Sequence, residues 1–144
     1  MDPQLRIATR DDIPGMHRVR LAVRENRLTS NVITEAHYLP AIEQTGRGWV
    51  IEADGVIVGF AIGNAETGNI WALFVDPDHE RRGHGKRLHD EMIRWLQSVG
   101  APRPNLSTAP GTRAQRFYEA AGWSCLGTLS SGELHFELLT PLAI

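Results

Sequence analysis

Residues 80–86 read Glu80-Arg81-Arg82-Gly83-His84-Gly85-Lys86, and an amphipathic helical pattern starts at once behind them. Two glycines let a backbone turn tightly and approach a ligand with no Cβ in the way. The first N–H groups of a helix lack intrahelical partners, and the macrodipole places partial positive charge there. Arg81, Arg82, Lys86 and Arg87 add full charges to the same place. The segment is an anion cradle, and phosphate, above all pyrophosphate, is its natural guest. A Walker A loop does not fit, because Glu80 stands where its first glycine belongs and Arg87 where Ser or Thr would bind magnesium. A dinucleotide fingerprint fits no better, since its third glycine falls on Leu88. Taken alone, a solvated glycine-rich turn entering a helix accounts for the segment equally well.

The elements around the cradle are readable from periodicity. Asn69 to Val75 is apolar nearly throughout and is expected to be a strand buried on both faces, broken by Asp76-Pro77-Asp78. From Gly83 to Val99 the period is helical, with Leu88, Met92, Trp95, Leu96 and Val99 on one face and Gly100 as C-cap. A strand over Asn105 to Ala109 follows. Thr112 and Gln115 then have capping-box spacing before a short helix packed by Ala114, Phe117, Tyr118 and Ala121. Upstream, a strand at Leu5 to Ala8 leads through Thr9-Arg10-Asp11-Asp12 and Pro14 into a helix running to about Arg27, with Ile13, Met16, Val19 and Val23 buried. A second helix starts at Thr34, and Pro40 must kink or split it. Strands at Gly48 to Ala53 and Val56 to Gly63 flank the hairpin signal Asp54-Gly55. Trp123 to Leu129 and Leu134 to Thr140 close the chain as two more. The order β-α-α-β-β-β-α-β-α-β-β is α/β, a mixed sheet with helices on both faces.

Composition bounds the rest. A length of 144 residues suits one domain, so residues 1–144 are taken as a single unit. Apolar residues at 42% and charged ones at 22% describe a globular chain and argue against disorder. A net charge of −2 disfavours a nucleic-acid binder. One cysteine excludes an internal disulfide framework, and His79, His84 and His89 are spaced by five, which aligns no ligands on a helix face; no metal is expected. The longest apolar run, Val56 to Gly63, is too short for a bilayer, and the N-terminus has no apolar signal core, so a cytoplasmic protein without membrane association is expected. Cys125 alternates within an apolar strand and is expected to be a small core residue.

The segment FVDPDHERRGHGKRLHDEM, followed about thirty residues later by TRAQRFYEAAGW, resembles the GNAT superfamily of N-acetyltransferases. In that family a strand precedes a Gln/Arg-x-x-Gly-x-Gly/Ala pyrophosphate loop and helix. A later Ala-x-x-Phe-Tyr-x-x-x-Gly-Phe/Trp helix is matched by Ala114, Phe117, Tyr118, Gly122 and Trp123. Two departures stand out: Glu80 occupies the Gln/Arg position, and Gly111 stands where an asparagine is often found. The resemblance implies a mixed, mostly antiparallel seven-stranded sheet with about four helices covering both faces. It also implies direct transfer of an acetyl group from acetyl-CoA to a primary amine of a small molecule or peptide, in a ternary complex. On this reading Arg81, Arg82, Gly83, His84, Gly85 and Lys86 hold the pyrophosphate. Backbone at Leu73, Phe74 and Val75 serves the thioester carbonyl, and Tyr118 protonates the leaving thiolate. That last step suits a phenol near pKa 10 facing a thiol of roughly 8.5 or a little higher. Family analogy also points to a homodimer through the C-terminal strands.

The attacking amine must first lose a proton, and Asn69-Ile70-Trp71-Ala72 offers no carboxylate where many relatives have one. Glu25, Glu133, His135 or a water chain are the candidate bases; Glu133, His135 and Glu137 share one strand face, which also reads simply as a wetted face. His17, Arg20, Arg24 and Arg27 form one helical stripe, by default a solvated face; the alternative is that Arg20 or Arg24 receives a carboxylate or phosphate on an anionic amine acceptor. Arg24, Glu25 and Trp71 are therefore the candidate acceptor-binding residues. A catalytically silent acyl-CoA-binding sensor on the same fold is the competing reading.

Overall fold

A computed structural model describes residues 2–23 and 33–140. Strand β1 (Gln4–Ile7) runs through a 3-10 turn at Arg10–Asp12 into helix α1 (Ile13–Ala22), with Pro14 in its first turn. Arg6 grips the buried Asp12 carboxylate through both terminal nitrogens, at 2.8 and 2.9 Å, and fixes this entry. A second 3-10 turn at Glu35–His37 opens α2 (Tyr38–Glu43). Pro40 sits in its first turn, where a missing N–H is harmless, so it neither kinks nor splits the helix.

Strands β2 (Gly46–Ala53) and β3 (Val56–Asn64) meet at Asp54-Gly55, both with positive φ (51° and 79°), which is the backbone a tight two-residue hairpin requires. β4 (Ile70–Val75) completes an antiparallel sheet of order β1-β2-β3-β4. Helix α3 (His84–Ser98) lays Leu88, Met92 and Leu96 on this sheet, all essentially inaccessible. Burial of each such side chain contributes about 1.5–3 kcal/mol. Ile93 and His89 are buried with them, whereas Val99 is exposed because it already lies beyond the helix. Strand β5 (Asn105–Thr108), helix α4 (Arg113–Ala120), β6 (Ser124–Thr128) and β7 (Leu134–Glu137) follow, and the last three strands form a second antiparallel sheet of order β5-β7-β6.

The seven strands thus divide four and three rather than forming one continuous sheet. β4 and β5 run parallel and touch through one bridge, Asn69 to Asn105, then diverge. The divergence leaves the far half of β4 with an open edge, which is why Leu73, Phe74 and Val75 are only half-buried instead of covered on both faces. A bulge adds to this. Ile62 faces Ala72 and Gly63 faces Ile70, so Trp71 is an extra residue in β4. Trp71 and Ala72 consequently both pack toward α1 and α2, while Ile70 and Leu73 pack toward α3. β6 is an edge strand with its own bulge between Cys125 and Gly127, and this leaves Cys125 exposed rather than in the core. Among the described residues, no helix is long and apolar enough to cross a membrane.

Candidate functional site

The turn after β4 is held from two sides. Asp76 accepts the Asp78 N–H at 2.9 Å, and Arg18 of α1 reaches the other Asp76 oxygen at 3.1 Å and the Ile57 carbonyl at 2.5 Å. Beyond it the chain takes left-handed backbone at Arg81 (φ 63°) and at Gly83 (φ 80°), the N-cap of α3. Such a conformation is strained at a non-glycine residue and marks a loop held in place by its surroundings. Gly85 matters for a different reason: a Cβ there would stand 3.3 Å from Cε1 of Phe117, so α3 and α4 meet closely. The first-turn amides of α3 open onto this loop with the positive end of the helix dipole behind them.

Side chains of the loop divide by role. His84 turns inward, is buried, and has no hydrogen-bond partner for either ring nitrogen among the described residues; burial above all, then Arg87, His79 and Arg82, hold its pKa below the ordinary value. It is therefore a neutral wedge, and what it offers a ligand is backbone. Lys86 is exposed and pairs with Asp90 at 2.6 Å. Arg82 approaches His79 and is not part of the cavity wall, unlike Arg81, Gly83, His84, Gly85 and Lys86. Glu80 forms an ion pair with Arg113 at the start of α4, tying the loop to the second helix.

On the other wall, Asp76 N–H donates to Val58 O at 2.8 Å, with Phe60 opposite Phe74 two residues away. Antiparallel alternation then places Phe74 in the ladder to β3 and turns the N–H and C=O groups of Leu73 and Val75 outward, into the gap left by β5. Of the three residues anticipated here, Leu73 and Val75 direct their backbone N–H groups away from β3. α4 faces them. Thr112 caps it, accepting the Gln115 N–H at 3.2 Å, while Gln115 Oε1 accepts the Gly111 N–H at 2.6 Å. Gly111 has φ 77°, a conformation glycine and asparagine both tolerate, so the exchange of one for the other preserves the turn. Tyr118 is buried against Phe117 and Trp123 at ring distances of 5.2 Å, and its hydroxyl has no hydrogen-bond partner among the described residues. Burial pushes this phenol well above its ordinary pKa. Ala114 is exposed and lines the cavity instead of packing the helix.

All of this encloses one cavity of about 940 Å³. It runs from Arg20 and Trp71, past Leu73 to Val75 and Tyr118, to the loop at Arg81 to Lys86. Glu133 is in the wall. His135 is not; it pairs with Glu137 at 2.9 Å, and Glu137 in turn meets Arg103 at 3.2 Å. Arg24 and Glu25 lie outside the described residues. Among those described, no three His, Cys, Asp or Glu side chains gather into a ligand set.

Arg113 and Arg20 are both in the wall. Arg113 has no local signal beyond its place in a first turn. Arg20 does have one: Met16, Val19, Arg20 and Val23 follow i, i+3, i+4, i+7, so Arg20 sits inside the apolar stripe and not on a solvated face. It is 5% exposed.

A strand, a glycine-rich turn, a helix N-terminus and a second capped helix surround one cleft that reaches an open strand edge. The family model for the acetyltransferase (GNAT) family matches residues 11–123, and the chain belongs to that family. Solved structures agree on the fold. The ribosomal-protein-S18-alanine N-acetyltransferase of Escherichia coli superposes with a TM-score of 0.72 at 16% identity, covering 94% of this chain and 90% of that one. The PaiA N-acetyltransferase of Thermoplasma acidophilum, solved in complex with coenzyme A, gives 0.76 at 13% identity over 95% and 98%. Ard1 of Thermoplasma volcanium gives 0.76 at 19% identity over 97% and 100%. No curated protein matches the sequence at a significant level.

Proposed function

We propose that the protein is an acetyl-CoA-dependent N-acetyltransferase acting directly on a primary amine. The observation that carries this reading is the continuity of the cavity. It joins outward strand donors, a buried phenol and the α3 N-terminus in one space. The backbone of Gly83 to Lys86 takes the pyrophosphate of the cosubstrate, with Arg81 and Lys86 supplying charge. The N–H groups of Leu73 and Val75 face the thioester arm, where a donor stabilises the negative charge that develops on the carbonyl oxygen. Tyr118, kept protonated by burial, donates to the departing sulfur.

Among the candidate bases, Glu133 is a carboxylate of the cavity wall, Glu25 lies outside the described residues, and His135 is engaged by Glu137. Glu133 is accordingly assigned to draw the proton from the ammonium, directly or through water. Thiol release from acetyl-CoA with a mixed amine panel tests the activity. Calorimetric binding of acetyl-CoA with no thiol released by any amine would instead describe an acyl-CoA sensor.

A further inference from the structure

The Arg20 guanidinium is buried at the acceptor end of the cavity, among aromatic rings. Its Cζ lies 4.8 Å from the centre of the Trp71 ring, 4.9 Å from Phe74 and 5.6 Å from Tyr38. Of its five N–H donors only Nε–H has a hydrogen-bond partner among the described residues, the Tyr38 hydroxyl at 2.9 Å; Nη2 is fully buried with none. The Tyr38 hydroxyl also meets His17 Nδ1 at 3.1 Å. Burial raises the Tyr38 pKa, so the phenol stays neutral and supplies no countercharge. Ring faces offset part of the desolvation cost. They do not satisfy the fork of terminal N–H groups, and a buried charge without a paired anion is expensive. The fold keeps this cation in the cavity wall regardless, because the bulge at Trp71 turns the indole onto it and Met16 and Val19 hold its helix face down.

We infer that Arg20 is the receptor for a carboxylate carried by the amine acceptor, so that the substrate is an amino acid or another carboxylate-bearing amine. This rests on the acetyltransferase reading and narrows it. A planar carboxylate matches the guanidinium fork in two parallel hydrogen bonds. A single negative charge also neutralises the site, whereas a phosphate dianion would leave net negative charge against the electron-rich faces of Trp71 and Phe74.

The test compares matched amines, an amino acid against its amide and its phosphonate, by thiol release. The wild type is expected to prefer the carboxylate by about 10- to 100-fold in kcat/KM, the value of a charge-assisted hydrogen bond. Arg20→Met should bring that ratio close to one, and Arg20→Lys should leave it intermediate, while acetyl-CoA affinity by calorimetry stays within twofold. Equal turnover of acid and amide by the wild type overturns the inference, as does an unchanged ratio in Arg20→Met or a preference for the phosphonate. If no amine is turned over, the acetyltransferase reading fails separately. The carboxylate site is then read from thermal shift by N-acetyl amino acids against their amides. Stabilisation by the acid alone, lost in Arg20→Met or, if that variant does not fold, reduced in Arg20→Lys, supports it; no difference between acid and amide sinks it.

Discussion

The indole N–H of Trp123 donates to Nε2 of His89 across 2.9 Å, with both rings buried. Because Nε2 accepts, the proton of the neutral imidazole must sit on Nδ1, which donates to Asp90 at 2.9 Å. The pair ties α3 to the segment joining α4 and β6, the two helices between which the cavity opens. Burial holds the His89 pKa below its ordinary value although Asp90 pulls the other way, and His84 is shifted in the same direction. Unfolded histidine titrates near 6.5, so the native state binds fewer protons than the unfolded state as pH drops. Stability is therefore complete above about pH 6.5 and declines below it toward the folded-state pKa. Urea midpoints between pH 8 and pH 5 check this. Trp123→Phe should cost about 1–3 kcal/mol at pH 8, by orphaning Nε2, and should flatten the slope, because the freed nitrogen takes a proton more readily.

Tyr118→Phe isolates the assigned acid. The hydroxyl has no partner to lose, so the melting temperature should stay level or rise. Acetyl-CoA affinity should hold within twofold while kcat falls about a hundredfold. Since burial raises the phenol pKa, the wild-type rate should show no loss from this group up to pH 10. A kcat within threefold of wild type would remove Tyr118 from the chemistry.

Much of this site is legible in local patterns, and the rest depends on partners distant in sequence. Gly83 and Gly85 ahead of the Leu88-Met92-Leu96 stripe, and Thr112 three residues before Gln115, announce two helix starts with no tertiary information. The Trp71 bulge leaves no glycine or proline behind, so period-two reasoning assigns every β4 side chain after it to a face it does not occupy. Cys125 is misjudged for a related reason: its alternation is that of a half-buried strand, but β6 is an edge and Cys125 is exposed on it. The sequence singles out Arg20 on a charged stripe, but its charge conceals that it is buried. Its position belongs to the buried stripe, and only the rings that surround it make that burial tolerable.

Glu133→Gln tests the proton route. A primary alkyl ammonium near pKa 10.4 supplies little free base at neutral pH, so losing the carboxylate should lower kcat/KM about ten- to a hundredfold at pH 7. Raising the pH to 9 delivers deprotonated amine from solution and should restore most of the rate. A pH profile parallel to wild type would place the base elsewhere.

Gly83→Ala and Gly85→Ala separate backbone strain from contact in the proposed pyrophosphate loop. At Gly83 a Cβ meets nothing within 4 Å, so the whole penalty is the left-handed φ, about 1–2 kcal/mol. For a chain this long that is a fall of about 3–8 °C in melting temperature. The same strain favours a reshaped loop, so acetyl-CoA affinity should weaken as well. Gly85 is already helical, where alanine gains about 0.5–1 kcal/mol, but its Cβ presses on Phe117 at 3.3 Å. Phe117 is only partly buried and has room to yield, so stability should change little. The displaced ring carries Tyr118 beside it, 5.2 Å between centres, and the expected result is lower kcat at unchanged melting temperature. Calorimetry and steady-state rates on the two variants read these effects independently; equal loss of stability in both would mean the loop is shaped by packing and not by φ.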